Sequence, residues 1–319
     1  MRKRFRIRIM LILLSVCALG AIALYPLFHI EPSFEGKPFS DWIWTMNEKE
    51  AGPEKEKARA VVRQLGTNSI PLLVAWLRQE DRPSWTGRFD ELRHTIFFWL
   101  VRHKLIANRS IRSLQDFNPS HSAMAMWALP ELDHAGRTTV IPTLIQMLGD
   151  KNPKPDEISR ASGGSIIVLS KMAPESIPLL TDALSSQDVQ VWKRAAAALG
   201  AIGPDAKAAI PVLEKKLTDK DPNMKVGAAY VIGRLGGDPR TFVPVVIQSL
   251  PAIDWVNMEY SLDILVRYKE HAKAAVPVLV GILNGTPNSN NPTNRILRDE
   301  VITALRQIDP EAAAKMDVE

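Results

Sequence analysis

The stretch VWKRAAAALGAIGPDAKAAIPVLEKKLTDKDP, residues 191–222, decides the fold of this chain. From Val191 to Ile202, small or apolar residues recur at the spacing of one helix face. Gly200 and the pair Gly203-Pro204 are predicted to end that helix, because glycine tolerates a left-handed cap and proline cannot continue a helix. The same spacing returns from Ile210 to Leu217 and predicts a second helix. Each helix has one apolar stripe, so the pair needs neighbours to bury it.

A proline between apolar residues marks the start of each predicted second helix, where its missing amide has no intrahelical partner anyway. From Pro142 onward the steps between these prolines are 36, 33, 33 and 33 residues, and the step from Pro71 to Pro142 is 71, about two periods. A fixed period of this size predicts stacked helical repeats with one degenerate copy after Pro71. The prolines are Pro71, Pro142, Pro178, Pro211, Pro244 and Pro277.

Residues Ala195 to Asp219 resemble the short, PBS-lyase-like type of HEAT repeat, written roughly A-x-x-A-L-G-x-I-G…A-I-P-x-L-x-x-x-L-x-D. The resemblance covers the chain from about Lys57 to its end, most closely over 142–283 and least over 88–116. It implies an all-α fold, an α-solenoid of about seven to eight HEAT-type helical hairpins over residues 57–319. It also implies that the second helices line the usual binding face.

The first 30 residues are predicted to form a transmembrane or signal helix. Met1–Arg8 carries five basic residues and no acid, and Ile9–Phe28 is almost wholly apolar. A run of about 20 apolar residues is long enough to cross a bilayer, and basic residues ahead of it favour a cytoplasmic N-terminus. We therefore expect a membrane anchor with the repeats outside the cytoplasm, on the periplasmic side. Two alternatives stay open: secretion after cleavage near Ala21-Ile22-Ala23, and lipidation at Cys17.

Residues 31–56 are predicted to be a linker followed by a cap helix. Glu31–Lys37 reads as a linker, and Ser40 is a suitable N-cap for a short helix with Asp41 in its first turn. The segment GKPFSDWIW, residues 36–44, resembles one that precedes HEAT repeats in exported bacterial proteins of unknown function. We expect its helix to cover the end of the stack, as the ends of repeat arrays require.

The charge balance argues against nucleic acid as a partner. Five of the 40 basic residues lie in the first eight positions, which leaves 35 against 35 acidic residues in the rest of the chain. A nucleic-acid-binding domain normally carries a basic excess.

The sequence shows no catalytic signature. None of the six histidines has another at helical spacing, and the one cysteine lies in the leader, so neither a metal site nor a cofactor is predicted. We expect a non-catalytic scaffold for protein–protein interaction. The alternatives are a HEAT-like lyase or enzyme subunit that binds a small molecule in the groove, and a nucleic-acid binder.

Two sets of residues are candidate binding positions. The first set lies on the predicted second helices, four residues after each repeat proline. These residues form no stripe of one charge, which favours mixed polar contacts with a protein. They are Gln146, Asp182, Lys215 and Gln248, beside the small residues Ala75 and Gly281. The other is a basic patch in the degenerate copy, suited to an acidic partner or anionic lipid: Arg102, Lys104 and Arg109. Gly163-Gly164 is expected either to weaken its helix or to admit a close neighbour.

Overall fold

The computed structural model describes residues 32–48, 52–78, 121–150, 160–285 and 292–314, without the side chains of 160, 161, 292 and 293. The chain divides into two compact units, residues 1–65 and 66–319. The predicted anchor with Cys17 and the basic patch with Arg102, Lys104 and Arg109 lie outside the described residues. The boundary placed at residue 57 by the sequence stays a prediction.

The first unit contains a small β-hairpin and two helices. Strands β1 (Ser33–Phe34) and β2 (Lys37–Pro38) pair antiparallel through a turn at Glu35 and Gly36, so the prediction of a plain linker here was wrong. The turn folds because Gly36 has a φ of +74°, which costs glycine little. Helices α1 (Phe39–Asn47) and α2 (Pro53–Leu65) follow and pack together.

The cap of α1 also differs from the prediction. Pro38, not Ser40, is the N-cap of α1, and no side chain caps this end of the helix. A side chain within α1 connects the helix to the β-hairpin instead. Trp42 is buried, and its Nε1 donates a hydrogen bond of 3.0 Å to the Phe34 carbonyl. Trp42 therefore has a structural role within this unit.

Among its described residues, the second unit begins with a second helix and continues as helical hairpins, each with a first and a second helix. The first helices are α4 (His121–Ala128), α6 (Arg160–Lys171), α8 (Val189–Ile202), α10 (Pro222–Arg234), α12 (Trp255–Arg267) and α15 (Pro292–Ile308). The second helices are α3 (Ile70–Arg78), α5 (His134–Met147), α7 (Ile177–Ala183), α9 (Ile210–Glu214), α11 (Pro239–Ser249), α14 (Val276–Gly285) and α16 (Pro310–Ala314), with the short α13 (Lys269–Ala272) before α14. Turns of 3₁₀ helix extend several of them, including Gly203–Ala209 and Lys215–Thr218.

The first helices form a continuous ladder. Within the described residues α4 packs on α6, α6 on α8, α8 on α10, α10 on α12 and α12 on α15. Each hairpin thus buries its apolar stripes against the hairpins before and after it, as the period of the sequence predicts. The all-α repeat fold is confirmed.

Aspartates begin the helices α5, α8, α10, α11 and α12. The side chains of Asp133, Asp188, Asp221, Asp238 and Asp254 each accept a hydrogen bond from a backbone N–H in the first turn of the following helix. These caps start α5 and α11 before the repeat proline, which leaves Pro142 and Pro244 inside their helices. These two helices therefore begin well before their repeat prolines, at His134 and Pro239.

Two glycine predictions have different outcomes. Gly203 ends α8 with a φ of +80°, as predicted, but Gly200 lies within the helix, so its predicted role as a stop was wrong. In α6, a Cβ built on Gly164 would lie 2.6 Å from the Cδ1 of Leu77, so this glycine admits a close neighbour.

One segment among the described residues, Val189–Thr218, is long and apolar enough by length and composition to span a bilayer. The chain reverses at Gly203 within it, and its two halves are the two helices of the archetypal hairpin. Arg194 ties this hairpin to the end of α5, because its buried Nη1 donates to the carbonyls of Leu148 and, at 2.9 Å, Asp150. The segment therefore belongs to the core of the repeats.

Candidate functional site: two linked hollows on the first and second helices

A groove of about 370 Å³ crosses the exposed side of three first helices, α8, α10 and α12. We call it the tyrosine groove. Its floor consists of small residues, and its walls carry aromatic and apolar side chains. The floor is formed by Ala196, Ala197, Gly200, Ala201 and Gly227, and the walls by Trp192, Met224, Tyr230, Val231, Val256 and Tyr260.

Two stacked tyrosines dominate the groove. The rings of Tyr230 and Tyr260 lie 4.5 Å apart between centroids with planes 23° apart. Tyr260 is 37% exposed and the neighbouring Val256 is 52% exposed. Exposed apolar and aromatic side chains grouped on one surface mark a site of interaction, whereas single ones are ordinary. The charged residues that line the groove are the basic Lys193 and Arg234.

The small residues of the floor make the groove possible. Helices α8 and α10 are in contact at Gly200, where an added Cβ would lie 3.7 Å from Val231, an ordinary van der Waals distance. Arg234 also ties the two helices together, since its Nε donates a hydrogen bond of 3.1 Å to the Gly200 carbonyl. An alanine and glycine face leaves room above the backbone that larger side chains would fill.

A second hollow, of about 740 Å³, adjoins the tyrosine groove at the turns between hairpins. We call it the lysine cleft. It lies between the end of α7 with the turn that follows and the end of α9 with the chain leading to α10. Its polar lining consists of Ser185, Ser186, Gln187, Lys215, Lys216, Thr218, Asp219 and Lys220.

The two hollows share the side chains of Trp192 and Met224. Lys216 lies between a carboxylate and an aromatic ring, with its Nζ 3.0 Å from Asp219 Oδ2 and 5.9 Å from the centre of the Trp192 ring. A hydrogen bond from the backbone N–H of Asp221, and then the Lys216 ammonium, lower the pKa of the Asp219 carboxyl. Asp219 is therefore ionised at neutral pH.

A third hollow, of about 450 Å³, lies between the first helices α12 and α15. We call it the acidic hollow, because its charged lining is Glu259, Asp263, Asp299 and Glu300. Burial, and then repulsion by the Glu259 carboxylate, raise the pKa of Glu300. Among the described residues no group of three or more His, Cys, Asp or Glu side chains is placed to hold a metal ion.

The predicted second-helix residues are all exposed, but they are not all part of a hollow described above. Lys215 lines the lysine cleft. Gln146, Asp182 and Gln248 lie on the solvent side of α5, α7 and α11, and Ala75 and Gly281 are exposed on α3 and α14. The binding role of these residues stays a prediction.

Periodicity could not have identified the tyrosine pair. The 33-residue step aligns Tyr260 with Gly227, not with Tyr230. The two tyrosines lie 30 residues apart, so they occupy positions one helical turn apart in successive repeats. Only the offset between α10 and α12 brings the two rings into contact.

A family model agrees with this architecture over part of the chain. Residues 177–253 match the family model for HEAT repeats, so the hairpins from α7 to α11 are HEAT repeats. No curated protein matches the chain. Among solved structures, the chain is similar to the crystal structure of an engineered protein from the Northeast Structural Genomics Consortium. That match has 16% identity and a TM-score of 0.36, and it covers 88% of this chain and 71% of that chain.

Proposed function

We propose that this protein is a non-catalytic scaffold that binds a protein partner through the tyrosine groove. The observation that carries the proposal is the exposed pair Tyr260 and Val256 above a floor of small residues on the ladder of first helices. Tyrosine is enriched among the residues that dominate protein–protein binding energy, since it offers a large, rigid contact surface. The HEAT repeats support it, because stacked repeats present extended surfaces for binding.

The proposal differs from the expectation that second helices line the binding face. The predicted residues on the second helices are scattered polar side chains. The tyrosine groove instead combines exposed apolar area, aromatic rings and a concave floor on the first helices. These properties suit a protein segment better than a set of separate polar contacts.

We further propose that the N-terminal segment anchors the protein in a membrane with the repeats outside the cytoplasm. The support is the basic start of Met1–Arg8 followed by the apolar run Ile9–Phe28. Membrane fractionation and the mass of the mature protein test this. A full-length protein in the membrane fraction supports the anchor. A soluble protein cleaved near Ala23, or a lipid adduct on Cys17, would replace it with one of the alternatives.

In-cell crosslinking of the tagged full-length protein, followed by affinity purification and mass spectrometry, tests the scaffold. The variant Tyr260→Ala/Val256→Ser removes apolar area from the groove. Leu179→Ser is its matched control, because Leu179 is also 37% exposed but lies on the second helix α7. We expect one recurrent protein with the wild type and Leu179→Ser, and its loss with the groove variant.

Three outcomes would overturn the proposal. Capture that fails only with Leu179→Ser would place the site on the second helices. No protein enriched by the wild type would remove the scaffold function. Turnover of a substrate by the purified protein, or a bound small molecule seen by native mass spectrometry, would favour the alternative of a lyase or enzyme subunit.

A further inference from the structure

The lysine cleft carries positive charge that the fold does not use. The side chains of Lys215 and Lys220 line it and are exposed, and neither ammonium group makes a hydrogen bond or ion pair with a described residue. Lys216, in contrast, is paired with Asp219. Two ammonium groups of the cleft lining are thus available to an anionic ligand, and the one carboxylate of the lining is already paired with Lys216.

The cleft also contains polar groups that lack partners. The hydroxyl of Ser185 makes no hydrogen bond with a described residue, and it lines the cleft. Trp192, which is 3% exposed, lines both the cleft and the tyrosine groove, and its buried Nε1–H has no hydrogen-bond acceptor. A buried donor without an acceptor is unfavourable, so an acceptor supplied by a ligand at this junction would stabilise the site.

The charges of the two joined hollows have one dominant sign. The tyrosine groove contributes Lys193 and Arg234, and the lysine cleft contributes three lysines and Asp219. On the other side of α12, the charged lining of the acidic hollow is Glu259, Asp263, Asp299 and Glu300. A negatively charged ligand is therefore attracted to one side of Tyr260 and repelled from the other.

We propose that the ligand of this joined surface is an acidic, amphipathic segment of a partner protein. Its apolar or aromatic side chains pack on Tyr230 and Tyr260, and its carboxylates pair with Lys215 and Lys220. The segment runs from the tyrosine groove toward the lysine cleft, away from the acidic hollow. This inference rests on the proposed scaffold function and specifies the chemistry of its partner.

A peptide fits this surface better than other anions do. The apolar walls and small-residue floor of the groove require apolar groups on the ligand, which a phosphate backbone does not supply. Two separate lysines beside an apolar groove match separate carboxylates on a chain that also carries apolar residues.

Selection from a random peptide library on the immobilised full-length protein tests the inference. We expect the enriched peptides to combine Asp or Glu with aromatic or large apolar residues. Enriched peptides that are basic or neutral, or no enrichment at all, would overturn the inference.

The strongest enriched peptide, labelled with fluorescein, is then titrated against variants by fluorescence anisotropy. Lys215→Gln/Lys220→Gln should weaken binding roughly fivefold, because two solvent-exposed ion pairs are lost, and added salt should reduce the difference. Lys207→Gln/Lys273→Gln is the matched control, since it also removes two exposed lysines. Each of these lysines lies in an A-K-A-A sequence, and neither lines the lysine cleft. Its affinity should stay within about twofold of the wild type.

The variants separate the two proposals. Binding that Tyr260→Ala abolishes but Lys215→Gln/Lys220→Gln leaves unchanged would keep the groove and overturn the acidic partner. Binding that neither variant changes would overturn the proposed function itself. Lysine-dependent binding to phosphatidylserine vesicles or duplex DNA, with no response to the acidic peptide, would also overturn the inference.

Discussion

The two sides of helix α12 differ in the side chains that they present to solvent and agree in how they are built. Toward α10, the surface holds stacked tyrosines above alanine and glycine, with basic residues around them. Toward α15, it holds four carboxylates around an apolar floor. Both sides rest on the same packing of first helices along the ladder. The buried stripe of each repeat therefore fixes how the helices pack, while the exposed positions between the stripes determine what each part of the surface binds.

The largest loss of stability should come from a change in the buried packing that both sides of α12 share. Leu265 in α12 is fully buried, so Leu265→Ala should lower the free energy of unfolding by about 2–5 kcal/mol through lost burial and a residual cavity. Val256→Ala in the same helix is the control, and it should change stability by only about 0.5 kcal/mol because Val256 is exposed. Chemical denaturation followed by circular dichroism measures both. Equal losses would show that α12 is not held by its buried face.

A smaller loss of stability should result from a change on the groove side of α12, where the buried packing is kept. Tyr260→Ala removes the stacking on Tyr230 and should cost about 1 kcal/mol of stability, whereas Tyr260→Phe keeps the ring and should cost less. Differential scanning calorimetry checks the order of the two variants. A larger loss for Tyr260→Phe than for Tyr260→Ala would mean that the hydroxyl, not the ring contact, holds Tyr260 in place.

The smallest changes in stability should come from the carboxyl groups of Glu300 and Asp219. These changes should have opposite signs and should depend on pH. The pKa of Glu300 is raised, so its contribution to stability is largest below the ordinary carboxyl pKa and declines as the pH rises through the raised value. The pKa of Asp219 is lowered, so its contribution is present above the ordinary pKa and is lost as the pH falls through the lowered value.

At neutral pH, Glu300→Gln should therefore stabilise the protein and Asp219→Asn should destabilise it, each by less than about 1 kcal/mol because both groups are accessible to solvent. Both differences should vanish in acid, where both carboxyl groups are protonated in the folded and unfolded states. Urea denaturation across the pH range measures them. Changes of the same sign would contradict the contrast between the two hollows.

Much of the helical architecture follows from the sequence. The proline period and the apolar spacing predict the hairpins and their order, because every repeat must bury the same stripe. Helix starts are less predictable: Asp133 and Asp238 cap α5 and α11 and place Pro142 and Pro244 inside helices. Gly200 likewise lies inside α8, although the sequence predicts that it ends the helix.

The candidate site follows from the sequence only in part. Lys215 is common to the prediction and the lysine cleft, because its distance from Pro211 places it on the exposed side of its helical segment. The tyrosine groove is absent from the prediction because its members come from three helices and occupy different positions of the repeat. A pattern read along one chain detects residues that recur at the same position, but it does not detect residues that meet across neighbouring repeats.

The sequence by itself determined the class of fold, the order of the hairpins and the face that each helix buries, since apolar spacing and period are properties of the chain. The tertiary structure alone decided which exposed side chains come together. The rings of Tyr230 and Tyr260 stack, and Trp192 joins the groove to the cleft, because neighbouring first helices pack with an offset. That offset is set by how two neighbouring helices pack against each other, so the spacing along one chain does not reveal it.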